Sequence, residues 1–123
     1  MFIQIDFDSD EALYMQLHDQ ILVAIAQAVL KEGDQLPSVR MMADEIGINM
    51  HTVNKAYALL RDEGFLSLNQ RRGAVIEIDI DKLNAIVRLK DEMRILLAGG
   101  ILKEVSREEV HELVDEIYNE YGI

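Results

Sequence analysis

The stretch 47-GINMHTVNKAYALLRDEGF-65 carries a helix with two unlike sides. Val53, Ala56, Tyr57 and Leu60 recur at the spacing that lines one helical face, and they suit a core. Met50, His51, Thr52, Asn54 and Lys55 crowd the opening turns and suit contact with something wet. Asn49 stands where a side chain can cap the helix, and Gly64 follows Glu63 where it can stop.

Upstream, Ser38 is the expected N-cap of a shorter helix, "VRMMADEI", ended by Gly47. Two short helices joined by the glycine-containing turn "EIGINM" have the geometry of a helix-turn-helix. Downstream, "FLSLNQ" and "GAVIEID" are β-prone runs with Arg71-Arg72-Gly73 at the turn between them. Before the pair, "FIQIDF" alternates Ile3, Ile5 and Phe7 with polar residues, the period of a short half-buried strand. Ser9 or Asp10 can then cap a first helix, with Glu11 in its opening turn. Its apolar stripe is Leu13, Leu17, Ile21, Ala24, Ile25, Ala28 and Val29, and it should stop near Gly33. A strand, three helices and a two-stranded wing make a winged helix-turn-helix.

From Asp81 the pattern is helical again. Leu83, Ile86, Leu89 or Lys90, Met93, Leu96, Leu97 and Ile101 keep a 3.6-residue period across Gly99-Gly100. Two glycines can end a helix, since each costs about 1 kcal/mol in its interior. The register survives them, so the helix is expected to continue. Ser106 and Glu109 fit a capping box that opens a last helix with Val110, Leu113, Val114 and Ile117 on one face.

Composition narrows the classes. The 123 residues are 50% hydrophobic with one proline, ordinary for a foldable, helix-rich chain. There is no cysteine, which excludes disulfides, thiolate zinc sites and a cysteine nucleophile. The longest apolar run, "ILVAIAQAVL", is broken by Gln27 and is too short to cross a bilayer. The opening "MFIQIDFDSDEAL" has no basic region followed by an apolar core, so a cytoplasmic location and no membrane partner are expected. The formal net charge is −11, unevenly placed: residues 1–34 carry −6, residues 35–76 carry +1 and residues 77–123 carry −6. The middle segment alone is not acidic.

The middle segment also resembles a known family. "LYMQLHDQI" followed by "GDQLPSVRMMADEIGINMHTVNKAYALLRDEGFLSL" is similar to the DNA-binding domain of GntR-type bacterial transcription regulators. The shared spacings are G-x-x-LPS-x-R, then G-x-N-x-x-TV-x-x-AY-x-x-L, then EG, within residues 13 to 76. The 47 residues that remain (123 − 76), with two expected helices, resemble the YtrA subfamily, whose members lack the large effector domains of other GntR regulators. Two departures stand out. The family's wing tip is usually Gly-x-Gly, whereas Arg71 occupies the first glycine's place and Gly73 remains. Met50 and Asn54 also stand where many relatives have polar or basic residues, so the operator cannot be borrowed from them.

Each candidate residue has a plainer reading beside the functional one. Arg40 is a solvated arginine paired with Asp44 at i+4 or, as the resemblance implies, a DNA contact. His51, Thr52, Asn54 and Lys55 sit at the N-terminal end of the third helix, the part of a recognition helix that enters the major groove. Asn54 can bond an adenine edge, His51 a guanine acceptor or a phosphate, and Lys55 suits phosphate. Thr52 suits a cap or a phosphate, and Met50 either packs on a thymine methyl or fills a gap. Ser38, Asn49 and Gly73 join this DNA-binding set through the family pattern. Arg71 and Arg72 serve either solubility or insertion into a narrow minor groove. Tyr57 belongs to the core, and His18 lies beside the first helix's stripe, packed or solvated.

His111 with Glu108, Glu112 and Asp115 imitates a metal face, but such a run is usually the solvated side of an amphipathic helix, and no metal or cofactor is expected. No phosphate loop, nucleophile elbow or cysteine supports an enzyme. The expected architecture is mainly α with a small β wing (α+β). A winged helix-turn-helix domain at 1–77 is followed by a helical dimerisation element at 78–123. The expected function is a homodimeric, sequence-specific regulator of transcription, a repressor binding an inverted-repeat operator in double-stranded DNA. By resemblance to the subfamily it controls a neighbouring operon, often that of an ABC transporter. Leu83, Ile86, Leu89, Met93, Leu96, Leu97, Ile101, Val110, Leu113, Val114 and Ile117 are the expected dimer residues. A small-molecule effector would act by shifting the separation of two reading heads, and no pocket for one is visible in the sequence. The alternative is a winged-helix module that docks on protein and does not bind DNA.

Overall fold

A computed structural model describes residues 3–123. The chain divides into two compact units, Met1–Asp79 and Ile80–Ile123. The first holds α1 (Leu13–Ala26), α2 (Val39–Ile46), α3 (Met50–Asp62), β1 (Leu66–Asn69) and β2 (Gly73–Ile76). The second holds α4 (Lys82–Leu102) and α5 (Arg107–Glu120).

Local chemistry explains the boundaries of α2 and α3. The Ser38 hydroxyl accepts the Met41 N–H at 3.2 Å, and Gly47 closes α2 with a left-handed φ of 74°. The Asn49 side chain accepts the His51 N–H at 2.7 Å, opening α3 two residues later. Side-chain oxygens thus satisfy donors that a helix start leaves free.

Packing then assembles the unit. Leu17 and Ile21 of α1, Met42 of α2 and Val53, Ala56 and Leu60 of α3 are fully buried, and Ile76 closes the core from β2. Each of these side chains except the small Ala56 contributes roughly 1.5–3 kcal/mol by leaving water. Tyr57 is buried among them, and its hydroxyl donates to the Pro37 carbonyl at 2.8 Å, tying α3 to the segment that leads into α2. β1 and β2 pair antiparallel from Leu66↔Ile76 to Asn69↔Gly73. On its other edge β2 meets residues 33–36: Leu36 N–H reaches the Ala74 carbonyl and Ile76 N–H the Asp34 carbonyl, both at 2.8 Å.

The N-terminal strand does not form. Ile3 is buried and Ile5 half-buried as the alternation requires, but Phe7 is exposed and residues 3–6 make no ladder; Phe2, the first residue of that expected strand, lies outside the described residues. Two glutamines of α1 take the ladder's place. Gln16 accepts the Asp6 N–H at 2.9 Å and donates to the Asp6 carbonyl at 3.0 Å, while Gln20 does the same for Gln4 at 2.9 and 2.8 Å.

Helix α1 is also shorter than expected. Neither Ser9 nor Asp10 caps it; Ala12 is the N-cap residue and offers no side chain, and Gln16 instead holds the Glu11 carbonyl. At the other end Ala28 turns left-handed, with φ 60°, and the Val29 and Leu30 N–H groups both return to the Ala24 carbonyl. Ala28 and Val29 are exposed beyond the helix, and the reversal brings Leu30 back against the core.

In the second unit α4 runs unbroken through Gly99 and Gly100. It ends where Glu104 turns left-handed (φ 63°), and the Val105 N–H returns to the Gly100 carbonyl at 2.9 Å. Ser106 and Glu109 form the expected capping box of α5, with reciprocal bonds of 3.0 and 3.1 Å. Hydrogen bonding of the Glu109 carboxylate by the Ser106 backbone N–H, and next by the Ser106 side chain, holds that carboxyl below its ordinary pKa.

Candidate nucleic-acid interface

The burial of Val53, Ala56, Tyr57 and Leu60 turns the opposite side of α3 outward. His51, Asn54 and Lys55 are exposed on it, and Thr52 is half-buried at its edge. Met50 is 45% exposed and so fills no gap in the core. Lys55 is less free than its exposure implies, because its ammonium lies 4.0 Å from the centroid of the Tyr14 ring on α1. Such a cation–π contact is worth about 0.5–1 kcal/mol at an exposed site and still leaves hydrogen-bond donors for a phosphate.

Arg40 is exposed near the start of α2, while Val39 and Met42 face inward as the spacing requires. The i+4 pair with Asp44 is not made, and Arg40 has no ion-pair partner among the described residues. Ser38 and Asn49 spend their side chains on capping, so what they offer a ligand is the exposed start of a helix, where N–H groups favour phosphate.

Arg71 and Arg72 are exposed in the loop between β1 and β2, again with no carboxylate partner among the described residues. The loop is sharply turned despite losing a glycine. Gly73 supplies the left-handed residue at φ 71°, and Arg71 needs no such conformation. The Asn69 side-chain oxygen Oδ1 accepts the N–H groups of both Arg71 and Arg72 at 2.8 Å, and the Gln35 side-chain amide donates to the Arg72 backbone carbonyl. A concavity of about 350 Å³ lined by Ser38, Val39, Tyr57, Asn69 and Gly73, among others, brings the start of α2 and the end of the wing to one surface.

Behind this surface α1 and α3 are joined by a residue whose part the sequence does not announce. His18 is buried; its Nδ1 bonds Asp19 at 2.8 Å, and its Nε2 makes a short contact with Glu63, the C-cap residue of α3. Burial disfavours the charged ring, but hydrogen bonds to the two carboxylates outweigh it, and the His18 pKa is raised.

The second unit presents a different surface. Neither α4 nor α5 contains a buried residue. Leu83, Ile86, Leu89, Leu96, Ile101, Leu113, Val114 and Ile117 are all exposed, while Met93, Leu97 and Val110 are half-buried. Met93, Leu97, Ile101, Val110 and Val114 line a groove of about 650 Å³ between the two helices, and Ile86 and Leu89 continue the α4 side of it. Leu83 and Leu96 lie outside both concavities. Among the described residues no cluster of His, Asp or Glu is arranged to hold a metal, and no helix is long and apolar enough to cross a membrane.

An exposed second helix of a helix-turn-helix, backed by a core and flanked by an arginine-tipped hairpin, defines a winged helix-turn-helix DNA-binding protein. Comparison with known proteins agrees. The chain belongs to the gntR family of bacterial regulatory proteins, whose pattern matches residues 13–76. It is a DNA-binding transcription regulator of the YtrA kind and not an enzyme. The HTH-type transcriptional repressor YtrA of Bacillus subtilis is 32% identical over 118 residues, spanning 94% of this chain and 91% of its own. The YtrA structure from Sulfolobus acidocaldarius, a GntR-family transcription factor, is 40% identical, with a TM-score of 0.62 over 76% of this chain and 99% of its own. A transcriptional antiterminator from Listeria monocytogenes is 28% identical, with a TM-score of 0.84 over 98% and 92%.

Proposed function

We propose that the protein is a cytoplasmic homodimeric repressor that binds an inverted repeat and controls a neighbouring operon, such as one for an ABC transporter. Arg40, His51, Asn54, Lys55, Arg71 and Arg72 meet the DNA, and residues 80–123 join the two copies. The observation that carries the dimer is the absence of any buried residue in α4 and α5, beside a long run of exposed Leu, Ile and Val. A helical unit without a core is stable only if another surface covers its apolar side. A second copy supplies that cover and sets two reading heads on two half-sites. The repressor role takes support from the Bacillus subtilis relative, whose name describes one.

The test uses the full chain and a fluorescent duplex that it selects from a random pool. Each lost base or phosphate contact costs about 1–3 kcal/mol, so Arg40→Ala with Arg71→Ala should weaken binding at least about a hundredfold. Sedimentation should show the dimer intact. Ile86→Glu with Leu97→Glu should have the opposite profile, giving a monomer with a folded reading head. Failure to select any duplex would return the protein-docking alternative, unchanged binding in the arginine variant would remove Arg40 and Arg71 from the interface, and a dimer that survives both glutamates would refute the assignment of α4.

A further inference from the structure

Two neutral side chains, Asn69 and Gln35, meet the exposed backbone of the wing tip, and neither belongs to the set the sequence marks for DNA contact. The β1–β2 register closes at Asn69↔Gly73 and leaves only Gln70, Arg71 and Arg72 in the loop. Gly73, which closes this three-residue turn, is left-handed at φ 71°. An asparagine at the first position of such a turn can accept from the N–H groups that follow. Asn69 accepts from two, those of Arg71 and Arg72, both at 2.8 Å. The Arg72 carbonyl takes the Gln35 amide. Three polar groups of the tip backbone are thereby fixed by two side chains.

Gln35 is anchored more firmly than a loop residue. It lies opposite Val75 in an antiparallel bridge, within the segment whose Asp34 and Leu36 bond β2. The tip is therefore braced from the body of the domain as well as from its own hairpin. Neither brace consumes a guanidinium, and both arginines keep their donors for a ligand. An arginine carries rotamer entropy that binding must remove, and a fixed backbone beneath it lowers the total ordering cost.

We infer that Asn69 and Gln35 are positioning residues, which hold the wing tip in the shape that presents Arg71 and Arg72 to DNA. The inference rests on the reading of the wing as a DNA contact, and it assigns the two amides a role exerted through the arginines and not through contacts of their own.

A double-mutant cycle tests it, with the full chain, its selected duplex and fluorescence anisotropy. Asn69→Ala with Gln35→Ala should weaken binding about tenfold, the effect of losing a few backbone hydrogen bonds. It should also flatten the slope of log K against log salt, which a contact made by a neutral amide would not. In a background of Arg71→Ala with Arg72→Ala the same pair should have no further effect. Asn69→Ser, which keeps an acceptor at the turn's first position, should recover most of the loss. An equal loss in both backgrounds would overturn the proposal in favour of direct amide contacts, and so would no loss beside a strong effect of the arginines. If removing the arginines leaves binding unchanged, the wing does not meet DNA, and that reading falls together with the proposal.

Discussion

Salt offers the most demanding test of the interface, because the structure limits how many cations can act there. Arg40, Lys55, Arg71 and Arg72 are the exposed cations on α2, the polar side of α3 and the wing. Arg61, the remaining cation between residues 35 and 76, is engaged with Asp62 at 3.0 Å. In the proposed dimer two copies would bring about eight cations to one operator, and each neutralised phosphate releases counterions, giving a slope of log K against log salt of about −7. Raising potassium chloride from about 50 to about 200 mM should then weaken binding by roughly 10⁴-fold. Removing Arg71 and Arg72 halves the count, so the slope should fall to about −3.6 and the same change of salt should cost only about 150-fold. Anisotropy titrations on the selected duplex, at fixed pH and several salt concentrations, measure both slopes. A slope shallower than about −3 in the unaltered protein, or one that ignores the loss of both wing arginines, would refute the placement of these cations at phosphates.

Other consequences concern the scaffold. The raised pKa of His18 means the folded protein holds a proton that the unfolded chain, with a histidine pKa near 6.5, releases first. Its contribution is complete below that value and is lost as pH rises through the raised folded pKa, so melting temperature should fall as pH rises above the ordinary histidine value. The fall should vanish in His18→Gln; a flat profile in the unaltered protein would dismiss the ion pairs. Ala28→Gly should raise the melting temperature, because a left-handed alanine costs roughly 1–2 kcal/mol and glycine does not bear that penalty. A lower melting temperature would show that the extra freedom of the unfolded chain outweighs the strain. Gln16→Ala removes three hydrogen bonds to Asp6 and Glu11. It should speed amide exchange at Gln4 and Asp6 while leaving the centre of α3 protected, and unchanged exchange would mean that Gln20 and Ile3 suffice.

The parts of the fold that were legible in the sequence are those whose cause is local. Ser38, Asn49 and Ser106 cap with their own side chains within three residues, and Gly47 and Gly64 supply left-handed turns where the apolar period stops. The position of the wing's turn, at Arg71-Arg72-Gly73, was legible for the same reason, whereas its sharpness, with the first glycine replaced by Arg71, was not. What the sequence hid depends on partners distant along the chain. The alternation of Ile3 and Ile5 marks which side of the N-terminal segment is buried, yet not that glutamines 10 and 16 residues away replace a neighbouring strand. The stripe of α1 continues in period through Ala28 and Val29; what ends it is the pull of Leu30 toward the core, which no local pattern carries. His18 meets Glu63 across 45 positions and Gln35 meets Arg72 across 37, so neither pairing shows as a motif. The exposed residues proposed to read DNA were easier to mark than the groups beneath them, because polar residues opposite a core face stand out, whereas a brace looks like any other surface amide.

The acidity of the chain is consistent with this arrangement. A formal charge of −11 suggests repulsion from a polyanion, but what a phosphate meets is local charge, since salt screens exposed charges beyond about 8 Å at physiological strength. Arg61 and Arg94 are paired with neighbouring carboxylates, Asp62 at 3.0 Å and Asp91 at 2.8 Å, while Arg40, Arg71 and Arg72 have none among the described residues. Three of the unneutralised cations thus sit on the elements proposed to face DNA, and no carboxylate must be displaced before they bind. The surplus of acid then acts mainly on encounters that lack this fit. Random duplex would gain only phosphate contacts and bear the long-range repulsion, whereas an operator would add the base contacts proposed for His51 and Asn54. A negative chain with a few unpaired arginines thereby gives up affinity for bulk DNA, and the ratio of specific to non-specific binding widens as a result.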